Sequence, residues 1–156
     1  MANQKYKDLI QYLSGDYAID YPIGNQTFHM EFQLLDDEQI VPTTKYYNIW
    51  INLYNKRKDM VRNEDLHIST GLNPMQTVIV ARNCFEALQE EIIQSMKTDK
   101  RDIVIYCHWV DNRRRDAYYR ILSKYGYKYG NVPNETCKVI MKKFRWKDYQ
   151  EKLNNE

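Results

Sequence analysis

The chain of 156 residues has the length of one domain, and 43% apolar with 28% charged residues is an ordinary globular balance. Its 23 basic and 21 acidic side chains leave a net charge of +2, so nothing here demands DNA or an anionic membrane, and tight nonspecific DNA binding is disfavoured. No run approaches the roughly 18 apolar residues of a membrane-spanning helix, so no membrane partner is expected.

Residues 4–13 place Tyr6, Leu9, Ile10 and Leu13 on one face of a first helix, which Ser14-Gly15-Asp16 would stop. Three strands are expected next. Phe28 to Leu35 alternates through Phe28, Met30, Phe32 and Leu34. Tyr47 to Tyr54 alternates through Tyr47, Ile49, Ile51 and Leu53, and Leu66 to Thr70 is a shorter third. Gly71-Leu72-Asn73-Pro74 then forms a turn, and proline suits the first position of a helix. From there Met75, Val78, Ile79, Phe85, Leu88, Ile92 and Met96 hold a helical period, although Thr77 to Val80 is β-branched.

Asp102 to Val110 is nearly all apolar and reads as a strand buried on both faces. Asn112 to Tyr125 reads as a helix with Ala117, Tyr118, Ile121, Leu122 and Tyr125 on its inner side and Gly126 as its stop. Thr136 to Phe144 is the last strand. The order is α, three strands, α, β, α, β. It predicts an α+β fold, a mixed and mostly antiparallel sheet with helices packed on it. One domain is expected over residues 1–145, with a polar helical extension over residues 146–156.

Cys84, Cys107 and Cys137 are an odd number, far apart, each in an apolar run, and read as buried thiols of a reducing compartment. MANQKYKDLIQYL has no apolar stretch of a secretory leader, so a cytoplasmic location is expected. The 14 tyrosines suit sheets and core edges first, and base stacking second.

Arg113, Arg114 and Arg115 open the helix after the buried strand. Cations there oppose the helix dipole unless Asp111, Asp116 or a bound anion offsets them. Steps of 100° forbid one flat patch of all three. Arg115 lies four residues before Tyr119 and is expected to be structural, with Arg113 and Arg114 exposed as contacts for a partner or an anion.

His67 stands in His-Ile-Ser, but no second such motif accompanies it, so two-histidine phosphoesterase chemistry is rejected. His29, Glu31, His67 and His108 have no metal-ligand spacing, and no metal is expected. Glu86, Glu90 and Glu91 read as a solvated helix face. There is no P-loop and no nucleophile elbow.

The order of elements resembles the Gcn5-related N-acetyltransferases, the GNAT fold, best over residues 66–127. Asn112 opens the helix after the central strand, Tyr119 follows seven positions later, and Gly126-Tyr127 stands where the family has Gly-Phe. The blocks HISTGLNPMQTVIVARNCFEAL and IVIYCHWVDNRRRDAYYRIL also resemble uncharacterised, phage-encoded GNAT-like proteins, with Arg115, Tyr119, Arg120 and Leu122 near their shared pattern.

The resemblance implies an acetyl-CoA site in which Gly71, Leu72, Asn73, Gln76 and Asn112 hold the cofactor and Tyr119 returns a proton to the departing thiolate. The family's loop, Arg/Gln-x-x-Gly-x-Gly/Ala, is here Thr70-Gly71-Leu72-Asn73-Pro74-Met75. One glycine remains, and Pro74 removes an N–H donor. That departure ranks three functions. First is a non-catalytic GNAT-like accessory protein of phage origin, an anti-defence or virion component in host cytoplasm or virion. It would bind no cofactor, and its partner would be another macromolecule, a protein before a nucleic acid. Second is an acetyl-CoA-dependent N-acetyltransferase with a degenerate phosphate loop. Third is a small nucleic-acid-binding protein.

Overall fold

The computed structural model describes residues 2–35, 43–54 and 74–155. Their elements in chain order are α1 (Gln4–Lys7), β1 (Gln11–Leu13), β2 (Asp16–Ile23), β3 (Gln26–Leu34), β4 (Thr44–Tyr54), α2 (Pro74–Gln94), α3 (Met96–Asp99), β5 (Asp102–Cys107), α4 (Asn112–Leu122), β6 (Lys128–Gly130), β7 (Val139–Phe144) and α5 (Trp146–Asn154). The protein is α+β, with seven strands in the order β1-β2-β3-β4-β5-β7-β6. β4 and β5 run parallel, whereas β1–β2, β2–β3, β5–β7 and β6–β7 are antiparallel. Two compact units share this chain: Met1–Phe32 with Trp50–Ile92, and Gln33–Ile49 with Ile93–Glu156.

In the first unit, the helix expected over residues 4–13 ends at Lys7, and Gln11–Leu13 is a strand instead. The reason is the turn. Ser14 (φ 52°) and Gly15 (φ 96°) both take positive φ, which is the two-residue hairpin turn that matches strand twist. It pairs Leu13 with Asp16, and so β2 appears where no strand was expected. β1 covers only Asp16 to Ala18, leaving Pro22 beyond it, where a missing N–H is tolerated. A second tight turn at Gly24 (φ 59°) sets Ile23 opposite Gln26.

The β2–β3 pair buries Ile19, Ile23, Phe28, Met30 and Phe32, and α2 contributes Val80, Ala81, Cys84, Phe85, Leu88 and Ile92 to the core. Phe32 and Phe85 meet with ring centroids 6.0 Å apart. The β-branched run from Thr77 to Val80 is helical, as expected, but the phase of its first turns differs. Thr77 and Val80 are buried, whereas Met75 and Ile79 are exposed. Two of the three carboxylates expected on a solvated face of α2 tie down the N-terminal segment. Glu90 accepts from the Ala2 N–H (2.9 Å) and Lys7 Nζ (3.0 Å), and Glu91 accepts from the Tyr12 hydroxyl (2.8 Å). The strand expected over Leu66 to Thr70 lies outside the described residues.

In the second unit, β5 is buried from Ile103 to Cys107, as a strand covered on both faces should be. It ends three residues earlier than expected, and Val110 is exposed. Tyr46, Val104, Tyr106, Val132 and Val139 form one core cluster, with Leu35 and Met141 packed against it. At the start of the parallel pair, Asp99 accepts two hydrogen bonds from Arg101 (2.6 and 2.9 Å) and pairs with Lys45 (3.1 Å). The Arg101 hydrogen bonds, supported by Lys45 against some desolvation, hold Asp99 down at about 2. β6 was not expected from the sequence, being three residues long, and β7 begins at Val139 rather than Thr136.

Cys84 and Cys107 are buried, and Cys137 is exposed, contrary to the expectation of three buried thiols. The run Glu135-Thr136-Cys137-Lys138 precedes β7 rather than forming its start, so its apolar neighbours give Cys137 no cover. Burial pushes the Cys107 thiol up to about 12 and raises Cys84 as well. A native titration with a disulfide reagent is therefore expected to show one fast thiol, abolished by Cys137→Ser, and two that react only on unfolding. Fast labelling of Cys84 or Cys107 would contradict this packing.

Candidate functional site

The parallel pair runs from Thr44–Asp102 to Asn48–Tyr106, and the chain leaves β5 at its carboxyl end through His108, Trp109 and Val110. Ligand sites in α/β sheets collect at the carboxyl ends of parallel strands. Here Asn48 Oδ1 lies 3.2 Å from His108 Nδ1, and Glu135 Oε1 lies 3.9 Å from the same nitrogen. Burial, aided by the charge of Glu135 and opposed by a hydrogen bond from Asn134, pushes the Tyr106 hydroxyl up to about 12.

Asp111 caps α4. Its Oδ1 accepts from the Arg114 N–H at 2.8 Å, and its Oδ2 pairs with Arg114 Nη1 at 2.6 Å. This corrects the expected phase of the arginines. The Arg114 side chain is only 15% exposed, whereas Arg115 is 36% exposed and reaches no further than Asp116 (3.1 Å). A capping aspartate holds its partner at the third helical position, which is Arg114, and this outweighs the spacing of Arg115 to Tyr119. Arg113 is exposed, as expected, and so is Ala117, which was expected on the inner side. Asp111→Ala is expected to cost about 1 kcal/mol, and Arg114→Ala to cost more than Arg115→Ala, though still about 1 kcal/mol or less. Thermal melts of the three variants check that order, and a larger loss for Arg115→Ala would reverse the assignment.

Tyr119 stacks on Tyr129 of β6, with ring centroids 4.5 Å apart and planes 6° from parallel. Trp109 meets Tyr129 edge-on at 5.8 Å. Tyr129 remains 42% exposed. Asn112 is the first residue of α4 and is exposed. Of the other residues proposed for a cofactor, Gln76 is exposed on the first turn of α2 in the first unit, and Gly71, Leu72 and Asn73 lie outside the described residues.

The first unit holds a polar cluster that reading the sequence missed. β2 and β3 pair Asp20 with His29 across the hairpin. His29 is 4% exposed, with Nδ1 2.6 Å from Asp20 and Nε2 3.2 Å from Glu31. The Tyr54 hydroxyl also reaches Asp20 (3.5 Å), and Trp50 lies edge-on to the imidazole at 5.3 Å. Burial alone would push His29 down, but the hydrogen bonds and charges of Asp20 and Glu31 outweigh it and lift the ring to about 9. His29 is therefore an imidazolium near neutral pH, and it holds the Asp20 carboxyl below its usual range. Both ring nitrogens are engaged, so the ring offers no lone pair to a metal. The only sequence signal was the alternation of His29 and Glu31, and Asp20 could not be joined to them without the β2–β3 register.

Charge is distributed unevenly along the chain. Residues 111–145, which carry α4, β6 and β7, hold ten Lys and Arg against three Asp and Glu, a net +7 in a chain of +2. Among the described residues, no group of three or more His, Cys, Asp or Glu is placed to hold a metal ion, and no helix is long and apolar enough to cross a membrane. No family model, curated protein or solved structure matches the chain.

Proposed function

We propose that the chain is a GNAT-like accessory protein, of the kind resembled by phage-encoded proteins, that binds another macromolecule and carries out no acetyl transfer. The order of α1, the first strands, α2, β5, α4 and the β6–β7 pair supports the GNAT-like part of this reading. So do Asn112 at the start of α4, Tyr119 within it and Gly126 after it. The observation that carries the non-catalytic part is the stretch before α2, where one glycine remains and Pro74 has no N–H to give a phosphate. The stack of Tyr119 on Tyr129 gives that ring a packing role of its own.

Titration calorimetry with acetyl-CoA is expected to show no binding below millimolar, an affinity no stronger than about −4 kcal/mol. Micromolar binding that weakens on Gly71→Pro would favour the second reading, an N-acetyltransferase with a degenerate phosphate loop. Loss of acetyl transfer on Tyr119→Phe would then identify the acid.

A further inference from the structure

We propose that the face of the second unit formed by α4, the segment leaving β5 and β6 binds single-stranded nucleic acid. The inference rests on the reading above, that the chain binds a macromolecule, and it names the class.

Charge is the first argument. Two of the three acids of residues 111–145 are already paired with cations of their own unit, Asp111 with Arg114 and Asp116 with Arg115. Arg113, Arg120, Lys124, Lys128 and Lys138 are all exposed. On a helix of 3.6 residues per turn, Arg113 and Arg120 are seven apart and share one stripe, about 10 Å from end to end. Exposed cations in this excess attract a polyanion, and the modest charge of the whole chain conceals the excess because the remaining residues are net acidic, at −5.

Aromatic chemistry is the second argument and is independent of the first. Tyr129 sits on β6, the last strand of the sheet order, held by Tyr119 and Trp109 yet 42% exposed, with Val110 exposed in the segment leaving β5. An exposed ring fixed in place by its neighbours is a platform for an unpaired base, and successive phosphates track adjoining cations. Duplex bases are already stacked and would leave Tyr129 unused.

The test is fluorescence anisotropy of a labelled 15-nucleotide oligothymidine titrated with the whole chain, beside a duplex of equal length and heparin. Micromolar binding is expected, weakening roughly twentyfold between about 50 and 200 mM salt if some three phosphates are contacted. Tyr129→Leu, which keeps apolar bulk but removes the stacking ring, is expected to weaken it about fivefold or more. Arg113→Gln with Arg120→Gln should weaken it and flatten the salt dependence. Circular dichroism identifies any variant that fails to fold, and Tyr129→Phe, which keeps the ring, should retain binding.

Absence of binding to about 100 μM by folded protein would overturn the proposal. So would equal affinity for oligothymidine, duplex and heparin that Tyr129→Leu leaves unchanged, since that describes only a polyanion sink. A protein ligand lost on Arg113→Gln with Arg120→Gln, with no oligonucleotide binding, would overturn the nucleic-acid assignment while leaving the wider binding role standing. Micromolar acetyl-CoA binding bears on that wider role alone.

Discussion

Replacing His29 by Leu is expected to lower stability by about 2–3 kcal/mol at pH 6, and by much less near pH 10. Removing one partner of a buried ion cluster strands the charges it neutralised, a loss of roughly 3–5 kcal/mol when all partners are buried. The partial exposure of Asp20, whose side chain is 35% accessible, places the expectation at the lower end. In His29→Leu, Asp20 and Glu31 lose the imidazolium that bonds to both.

The pH dependence has a definite sign. The imidazole titrates at about 9 in the folded chain and near 6.5 when unfolded. Its contribution is thus complete below pH 6.5 and is lost as pH rises through 9, with a slope of at most about 1.4 kcal/mol per pH unit. Asp20 acts oppositely. Its lowered pKa contributes above the usual carboxylate range and is lost on acidification through its folded value. At about 2–4 °C per kcal/mol for a chain of this size, thermal melts from pH 6 to 10 should show wild type and His29→Leu converging by roughly 4–12 °C. Parallel curves over that range would mean that the imidazolium has no stabilising role.

That cluster also shows where sequence patterns lose information. Alternation identified β3 and β4 because their apolar sides repeat every second residue, and the 3.6-residue period identified α2 despite its β-branched first turns. β1 and β2 were missed for a local reason. Tyr6, Leu9, Ile10 and Leu13 fit a helix, yet the turn at Ser14-Gly15 decides the structure, and serine at positive φ leaves little trace in a sequence. Without β2 there was no register, and without register Asp20 could not be placed beside His29. A cross-strand pair is a non-local fact, whereas a helical period is a local one.

The arginines show a different loss. Helical spacing gives relative phase but not origin, so Arg115 was assigned the inward place that belongs to Arg114. The cap at Asp111 fixes the origin, and the residues Asp-Asn-Arg-Arg contain that signal for a reader who starts from the cap. The excess of charge over residues 111–145 was equally legible, but the total of +2 hides it.

The end of the same helix gives the second large effect. Gly126→Val is expected to cost roughly 2–3 kcal/mol. Gly126 has φ of 89°, which glycine takes freely and a β-branched residue resists. Its N–H donates to Ser123 O (3.1 Å), and the Tyr127 N–H donates to Leu122 O (3.2 Å). These are the two bonds of a Schellman ending, which satisfies carbonyls that the helix leaves open. The ending turns the chain so that Tyr127, 1% exposed, enters the core. A Cβ on Gly126 would stand 3.0 Å from Lys142 Nζ, and that ammonium is itself bonded to Tyr125 O at 2.7 Å. Relief of the contact therefore shifts the ammonium by a few tenths of an ångström against its hydrogen bond to Tyr125, in addition to the backbone strain. The series Gly126→Asn, Gly126→Ala and Gly126→Val should descend in melting temperature in that order, since asparagine tolerates the left-handed region best. Lys142→Met should narrow the gap between glycine and alanine by removing the obstructing ammonium. If valine melts within about 2 °C of wild type, the turn is not held in this conformation and the placement of Tyr127 in the core loses its cause.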